Sequence, residues 1–221
     1  APRARGYPRA CQRAGTYRVG RVRDRDTCRC GWRGDDAARH AAQLHPGNHD
    51  DRDALRRHFG VPGEAGEPVP YSVDFASLRL VVLDTKRPGE DSGALDSEQL
   101  DWLDSELAAA PEQLTLVAMH HPPIVTGIPV WDEIGLPLGD RRALGDLIAK
   151  HRQVRRLVAG HVHRAITGEL AGRSVLTVPS TYVQARLNFA MQESELAAEP
   201  AGFAVHAVVD GDLISHLQPV H

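Results

Sequence analysis

The sequence predicts one α/β domain running from about His45 to the C-terminus, behind a segment of different character. Short apolar runs of strand length recur at Leu78–Leu83, Leu114–Met119 and Leu157–Ala159. Helix-spaced apolar stripes stand between them, at Leu100, Leu103 and Leu107 and again at Leu144, Leu147 and Ile148. Alternation of these two patterns is the mark of an α/β chain. The 221 residues suit a single such domain, and 42% hydrophobic residues can supply a sizeable core.

The elements follow in order. Tyr71, Val73 and Phe75 alternate with polar residues, as a half-buried strand does. Leu78–Leu83 is a buried strand ending at Asp84-Thr85. Ser97 is placed to cap the helix that carries Leu100, Leu103 and Leu107, and Pro111 follows its end. Leu114–Met119 is the next buried strand. Arg141–Lys150 reads as a helix, and Leu157–Ala159 as a short strand running into Gly160. Strands then dominate, at Ser174–Val178, Phe203–Val209 and Leu213–Leu217, with Asp210-Gly211 as the turn joining the last two.

Residues 1–44 stand apart. Residues 1–43 are rich in Arg and contain no Lys, Glu, Leu, Ile, Phe or Met. No helical or strand period can be read there, and such a composition buries little apolar surface, so disorder is the expectation. The three cysteines, Cys11, Cys28 and Cys30, all fall in this segment. Their odd number argues against a disulfide scaffold, and Cys28-x-Cys30 falls short of the closed four-ligand site that zinc prefers. The abrupt join suggests out-of-frame translation of GC-rich coding DNA fused to an in-frame domain.

A formal net charge of -3, with acidic residues dispersed, gives no reason to expect a nucleic-acid or anionic-lipid partner. There is no apolar run of membrane-spanning length and no visible signal peptide, so a cytoplasmic location without membrane attachment is expected. The chain opens on Ala1 rather than Met, which leaves its true start open. Nothing in the sequence speaks to oligomeric state.

Histidine is the outlier, with 12 against 4 Phe and 3 Trp. Three clusters sit where open α/β sheets place their ligands, at strand ends. Pro46-Gly47-Asn48-His49-Asp50 offers a sharp turn, an Asn carboxamide oxygen suited to a hard ion, and a His able to reach a phosphoryl oxygen. A turn built from Gly and Asn for local reasons is the alternative. His120-His121-Pro122-Pro123 follows a strand directly, so the prolines stiffen the backbone behind the imidazoles; two solvated histidines is the plainer reading. Gly160-His161-Val162-His163 also follows a strand. In extended geometry His161 and His163 share one face, and both could meet metals there, or simply decorate an edge.

Taken together, Gly-Asn-His-Asp, His-His-Pro-Pro and Gly-His-Val-His in this order resemble the calcineurin-like metallophosphoesterases. The likeness is greatest to the class III cyclic nucleotide phosphodiesterase branch, which includes bacterial cyclic-AMP and glycerophosphodiester phosphodiesterases. It runs from about His45 to the C-terminus, and also takes in Leu83-Asp84-Thr85, Gly93–Leu107, Val178-Pro179-Ser180-Thr181 and Pro200-Ala201-Gly202-Phe203. The resemblance implies a four-layer α/β/β/α sandwich and two divalent or trivalent metal ions, Fe, Mn or Zn. It implies hydrolysis of a small-molecule phosphodiester, such as a 3',5'-cyclic nucleotide, by a hydroxide activated between the metals. Asn48, His120 and His161 then match ligands of the second metal and His163 a ligand of the first. His49 matches the histidine that contacts the phosphoryl group, oriented by Asp50, and His121 stands behind the ligands.

Two family motifs, Asp-x-His and Gly-Asp-x-x-Asp, are not matched. Gly34-Asp35-Asp36 has Ala38 where the second Asp belongs, and Asp35 is too close to Asn48 for a parallel crossover. Asp24-Arg25-Asp26 follows no buried strand. Without these carboxylates the activity of the chain is in doubt, and the alternative is a non-catalytic remnant of the fold that binds one metal or none.

Overall fold

A computed structural model describes residues 46–61, 63–75, 77–190 and 192–220, together with the backbone of residues 17–21. Five strands of the six-stranded sheet are ones read from the sequence; Ile166–Leu170 is not. Its strands are β2 (Tyr71–Phe75), β3 (Leu78–Val82), β4 (Thr115–Met119), β5 (Val154–Ala159), β6 (Ile166–Leu170) and β7 (Arg173–Thr177). They run in the order β2-β3-β4-β5-β7-β6. The inner four, β3, β4, β5 and β7, are parallel, while β2 and β6 are antiparallel edges.

Side-chain alternation divides this sheet between two cores. Leu80 and Val82 of β3, Leu116 and Ala118 of β4, Val158 of β5 and Leu176 of β7 face one way. There they meet Ala204 and Leu213 of a smaller sheet, with Leu55 and Phe59 of helix α1 (Arg52–Phe59) alongside. Val81, Val117, Met119, Leu157, Ala159 and Val175 face the other way. They pack on Leu103 and Leu107 of α2 (Ser97–Ala109) and on Leu144, Leu147 and Ile148 of α4 (Leu138–Lys150). Between those two helices in the chain lies the five-residue α3 (Pro129–Glu133). A leucine so fully enclosed as Leu103 contributes about 2–5 kcal/mol relative to Ala.

The smaller sheet has the order β1-β10-β11, with β1 at Tyr17–Arg21, β10 at Gly202–Val209 and β11 at Asp212–Pro219. A two-residue pair, β8 (Gln184–Ala185) and β9 (Leu196–Ala197), precedes it. Asp210 and Gly211 take φ of 51° and 89°, the positive pair that a type I′ hairpin turn requires. Helices α2 and α4, the large sheet and the small sheet make three of the four layers that the resemblance implies. On the face of the small sheet turned away from the core it shares with the large sheet, Ile214 is exposed. None of the described helices is long and apolar enough to cross a membrane.

Some expectations need correction. Asp96 rather than Ser97 caps α2, because its carboxylate accepts the Gln99 N–H at 2.8 Å. The helix read from Arg141 begins at Leu138, behind Pro137, which can precede a helix but cannot extend one backwards. Helix α1 went unread because only Leu55 and Phe59 mark its face among arginines; Asp51 caps it through the Ala54 N–H, and Gly60 closes it at φ 67°. Within the segment expected to lack regular structure, Tyr17–Arg21 pairs in parallel with Ala204–Val208. Backbone pairing to an open sheet edge needs no apolar period, so composition could not exclude it. Cys11, Cys28, Cys30, Asp24, Asp26, Asp35 and Asp36 lie outside the described residues, as does the join at Leu44 and His45.

Candidate metal centre

The parallel strands β3, β4, β5 and β7 end at one edge of the sheet, and the residues following them meet the Gly47–Asp50 turn that precedes α1. They line a cleft of about 360 Å³ whose polar wall includes Asn48, His49, Asp91, His120, His161 and His163. The turn is held against the sheet by cations. Arg52, at the start of α1, bonds Asp84 at the end of β3 at 2.7 Å and the Lys86 carbonyl at 2.7 Å. Lys86 Nζ in turn donates to the Asn48 carbonyl at 2.6 Å.

His120 follows β4 directly, and the Gly160 N–H bonds its carbonyl at 3.0 Å, which ties the ends of β4 and β5 together. Its Nε2 lies 2.9 Å from Asn48 Oδ1 and 3.3 Å from His161 Nδ1. Both imidazoles are buried. The approach is close: a Cβ at 47 would stand 3.0 Å from His120 Cε1, so the ring would have to give by a few tenths of an ångström.

His161 and His163 reach the same cleft, but not by the extended alternation read from the sequence. Their φ angles are 65° and 47°, and the Val162 N–H turns back to the Gly160 carbonyl at 2.7 Å. Left-handed backbone at a non-glycine residue costs about 1–3 kcal/mol and persists only where surroundings impose it. Here Val162 is sunk in a small core with Ile128 and Ala185, and that anchor holds the two histidines outward. Trp131 of α3 stands edge-on to His161, with centroids 5.6 Å apart, and stacks on His163 at 6.3 Å and 23°. No motif flagged Trp131, since α3 is five residues with no readable period.

His121 stands close enough to His120 and His161 for the three to share an ion, but its ring nitrogens are already taken. Its Nδ1 pairs with Thr85 Oγ1 at 2.8 Å and its Nε2 with the Asp91 carbonyl at 3.0 Å, so both ring nitrogens are engaged. Asp50 also differs from expectation. Its carboxylate accepts the Gly47 N–H at 2.8 Å, bracing its own turn rather than bonding the His49 ring. Burial raises its pKa, against the lowering effects of that N–H, Lys86 and His49. The His49 Nε2 instead lies 3.3 Å from Asn48 Nδ2, open to the cleft.

Burial is the main cause that pushes His161 well below the ordinary imidazole range, reinforced by His121 and His163 and opposed by the Ile134 carbonyl. His163 is lowered chiefly by burial too, and His121 falls to about 4 for the same reason. These rings are therefore held neutral, the form that binds metal. The spacing of donors fits as well. Ligand atoms bound at 2.0–2.1 Å stand roughly 3.3–3.4 Å apart in a tetrahedral site and roughly 2.8–3.0 Å apart in an octahedral one. The separations of 3.3 Å and 2.9 Å around His120 Nε2 lie within the span between those two geometries, so these donors stand close enough to share one ion.

The model of the calcineurin-like phosphoesterase family matches residues 36–165. The chain belongs to that family. The match begins before His45, so family likeness extends a few residues into the segment set apart by composition. Among curated proteins, a 164-residue stretch is 34% identical to the "Probable glycerophosphodiester phosphodiesterase GpdQ" of Arcobacter nitrofigilis, covering 73% of this chain and 60% of that one. A 138-residue stretch is 36% identical to the 3',5'-cyclic adenosine monophosphate phosphodiesterase CpdA of Pseudomonas aeruginosa, covering 62% and 48%. Another, 37% identical over 138 residues, matches a "Probable cyclic nucleotide phosphodiesterase" of a Synechococcus strain, covering 62% and 52%. The calcineurin-like phosphoesterase chain thus spans between 48% and 60% of the length of these relatives.

Proposed function

We propose that this chain is a metal-dependent hydrolase of small-molecule phosphodiesters, with cyclic nucleotides among the substrates. The observation that carries the reading is the convergence of Asn48 Oδ1, His120 Nε2 and His161 Nδ1 at ligand spacing in a family of phosphoesterases. The names of its relatives support a diester rather than a monoester. A cleft of about 360 Å³ suits a ligand of nucleotide size.

In this reading Asn48, His120 and His161 hold one ion of Fe, Mn or Zn, and His163 belongs to a second. A bound cation supplies Lewis acidity to a phosphoryl oxygen and to the attacking water. The protein does the rest. His49, open to the cleft beside Asn48, donates a proton or hydrogen bond to a phosphoryl or leaving oxygen. Asp50 keeps the turn that carries both residues in shape through the Gly47 N–H. Trp131 fixes the planes of His161 and His163.

The donor set favours a second reading, a remnant of the fold that holds one ion or none. Among the described residues the metal-capable cluster is His120, His121 and His161, without a carboxylate to bridge two cations. Elemental analysis after manganese loading, combined with hydrolysis of bis(p-nitrophenyl) phosphate, separates the readings. About two ions per chain with turnover supports the enzyme. One ion or none, with no turnover above buffer, supports the remnant.

A further inference from the structure

Asn48 is an unusual ligand because its carboxamide can present either oxygen or nitrogen to the ion. Only the oxygen binds a cation, and the two orientations occupy the same space, so something must select one. The selection is visible on the far side of the amide. Asn48 Nδ2 donates to Asp91 Oδ1 at 2.9 Å, while Oδ1 faces His120 Nε2. A carboxylate at pH 7 only accepts, so it can partner the NH₂ and never the carbonyl.

Asp91 lies in the loop between Thr85 and the start of α2, and the loop is not free to drift. His121 grips its backbone, through Nε2 to the Asp91 carbonyl at 3.0 Å and through Nδ1 to Thr85 Oγ1 at 2.8 Å. The Thr85 hydroxyl oxygen also receives the His121 N–H at 3.2 Å, closing the link to the ends of β3 and β4. At Gly93 the loop passes so close that a Cβ would lie 2.5 Å from His121 Cγ.

We propose that Asp91, seated by His121, is a positioning residue that locks the Asn48 carboxamide with its oxygen toward the ion. The carboxylate also draws on the NH₂ group, which raises the electron density of the amide oxygen and makes it a stronger ligand. In this way a negative charge assists the metal without touching it, in a centre whose described donors are otherwise all neutral. This rests on the metal-site reading of Asn48, His120 and His161.

The test uses the full chain in two measurements. Manganese is the probe for calorimetry, because it prefers oxygen and imidazole donors to the thiols of Cys11, Cys28 and Cys30. Asp91→Ala should weaken manganese binding by about 10- to 100-fold, and Asp91→Asn, which keeps an acceptor oxygen, by only about threefold. The second measurement needs no metal. In the ion-free protein one of the two side-chain amide protons of Asn48 should resonate well downfield of its position in an unbonded Asn, because Asp91 accepts it. Asp91→Ala should return that proton to the ordinary position and Asp91→Asn should keep most of the shift. An Asn48 amide signature unchanged in Asp91→Ala overturns the proposal, as does a lost signature with unchanged manganese affinity. A wild-type protein that takes up no manganese overturns the metal reading, and the amide resonances still decide whether Asp91 holds Asn48.

Discussion

A Cβ at Gly93 would stand 2.5 Å from Cγ of His121, nearer than two carbons can approach. The ring cannot retreat, because both its nitrogens are bonded and it lies 4.4 Å from the ring of His161. Gly93→Ala should therefore cost about 1–3 kcal/mol of stability through overpacking. Urea unfolding of the purified variant measures this. A midpoint equal to wild type would show that the loop yields freely.

His206 gives the fold a dependence on pH that is independent of the centre. It is buried on β10, close to Arg156, and its Nδ1 is 2.6 Å from Ser215 Oγ. Burial first, and then Arg156, push it from 6.5 down to about 4. The native state therefore keeps it neutral where the unfolded chain would take a proton. Its contribution is complete above about pH 6.5 and is lost as pH falls toward 4, amounting to about 3 kcal/mol across that window. His206→Asn should flatten the fall in stability between those values, as followed by denaturant titrations of the metal-free protein. His121 and His161 act in the same direction, so some slope will remain.

Removing the ion should abolish hydrolysis of the diester, and added manganese should restore it. His120→Ala, by deleting the donor common to both short separations, should prevent the restoration and leave less than about one ion per chain. Elemental analysis and the rate of p-nitrophenol release report the two effects separately.

Substituting His49 should affect the reaction rather than the binding. Its ring is exposed and lies 3.3 Å from Asn48 Nδ2, on the side away from the Asn48 oxygen, so its loss should leave the ion-binding donors in place. In the manganese-loaded protein, His49→Ala should lower kcat by about 100- to 1,000-fold with a smaller change in KM. A rise in KM at constant kcat would assign it to ground-state binding instead.

Trp131 offers an optical handle. It stacks on His163 and meets His161 edge-on, so charge placed on those rings should alter its emission. Manganese should change the tryptophan fluorescence of wild type. The change should disappear in Trp131→Phe, where Trp102 on α2 still reports the fold. Persistence of the full change in that variant would separate Trp131 from the ion.

Much of the fold was legible because local pattern and tertiary environment agree. Leu78–Val82, Thr115–Met119 and the face of Leu144, Leu147 and Ile148 are apolar where the structure buries them. Helix α1 and strand β1 were not legible. One shows too few apolar positions to form a stripe, and the other pairs through its backbone.

The sequence by itself supplied the candidate donors. Asn48, His120, His161 and His163 were singled out by residue type and placement together with the resemblance to the phosphoesterases, and all four line the cleft. Tertiary structure decided how they are held. The left-handed turns at His161 and His163 depend on Val162 finding a core, and the direction of the Asn48 amide depends on a carboxylate 43 residues along the chain. Rotamer, tautomer and amide orientation are set by contacts between segments distant in sequence, so no local pattern can encode them.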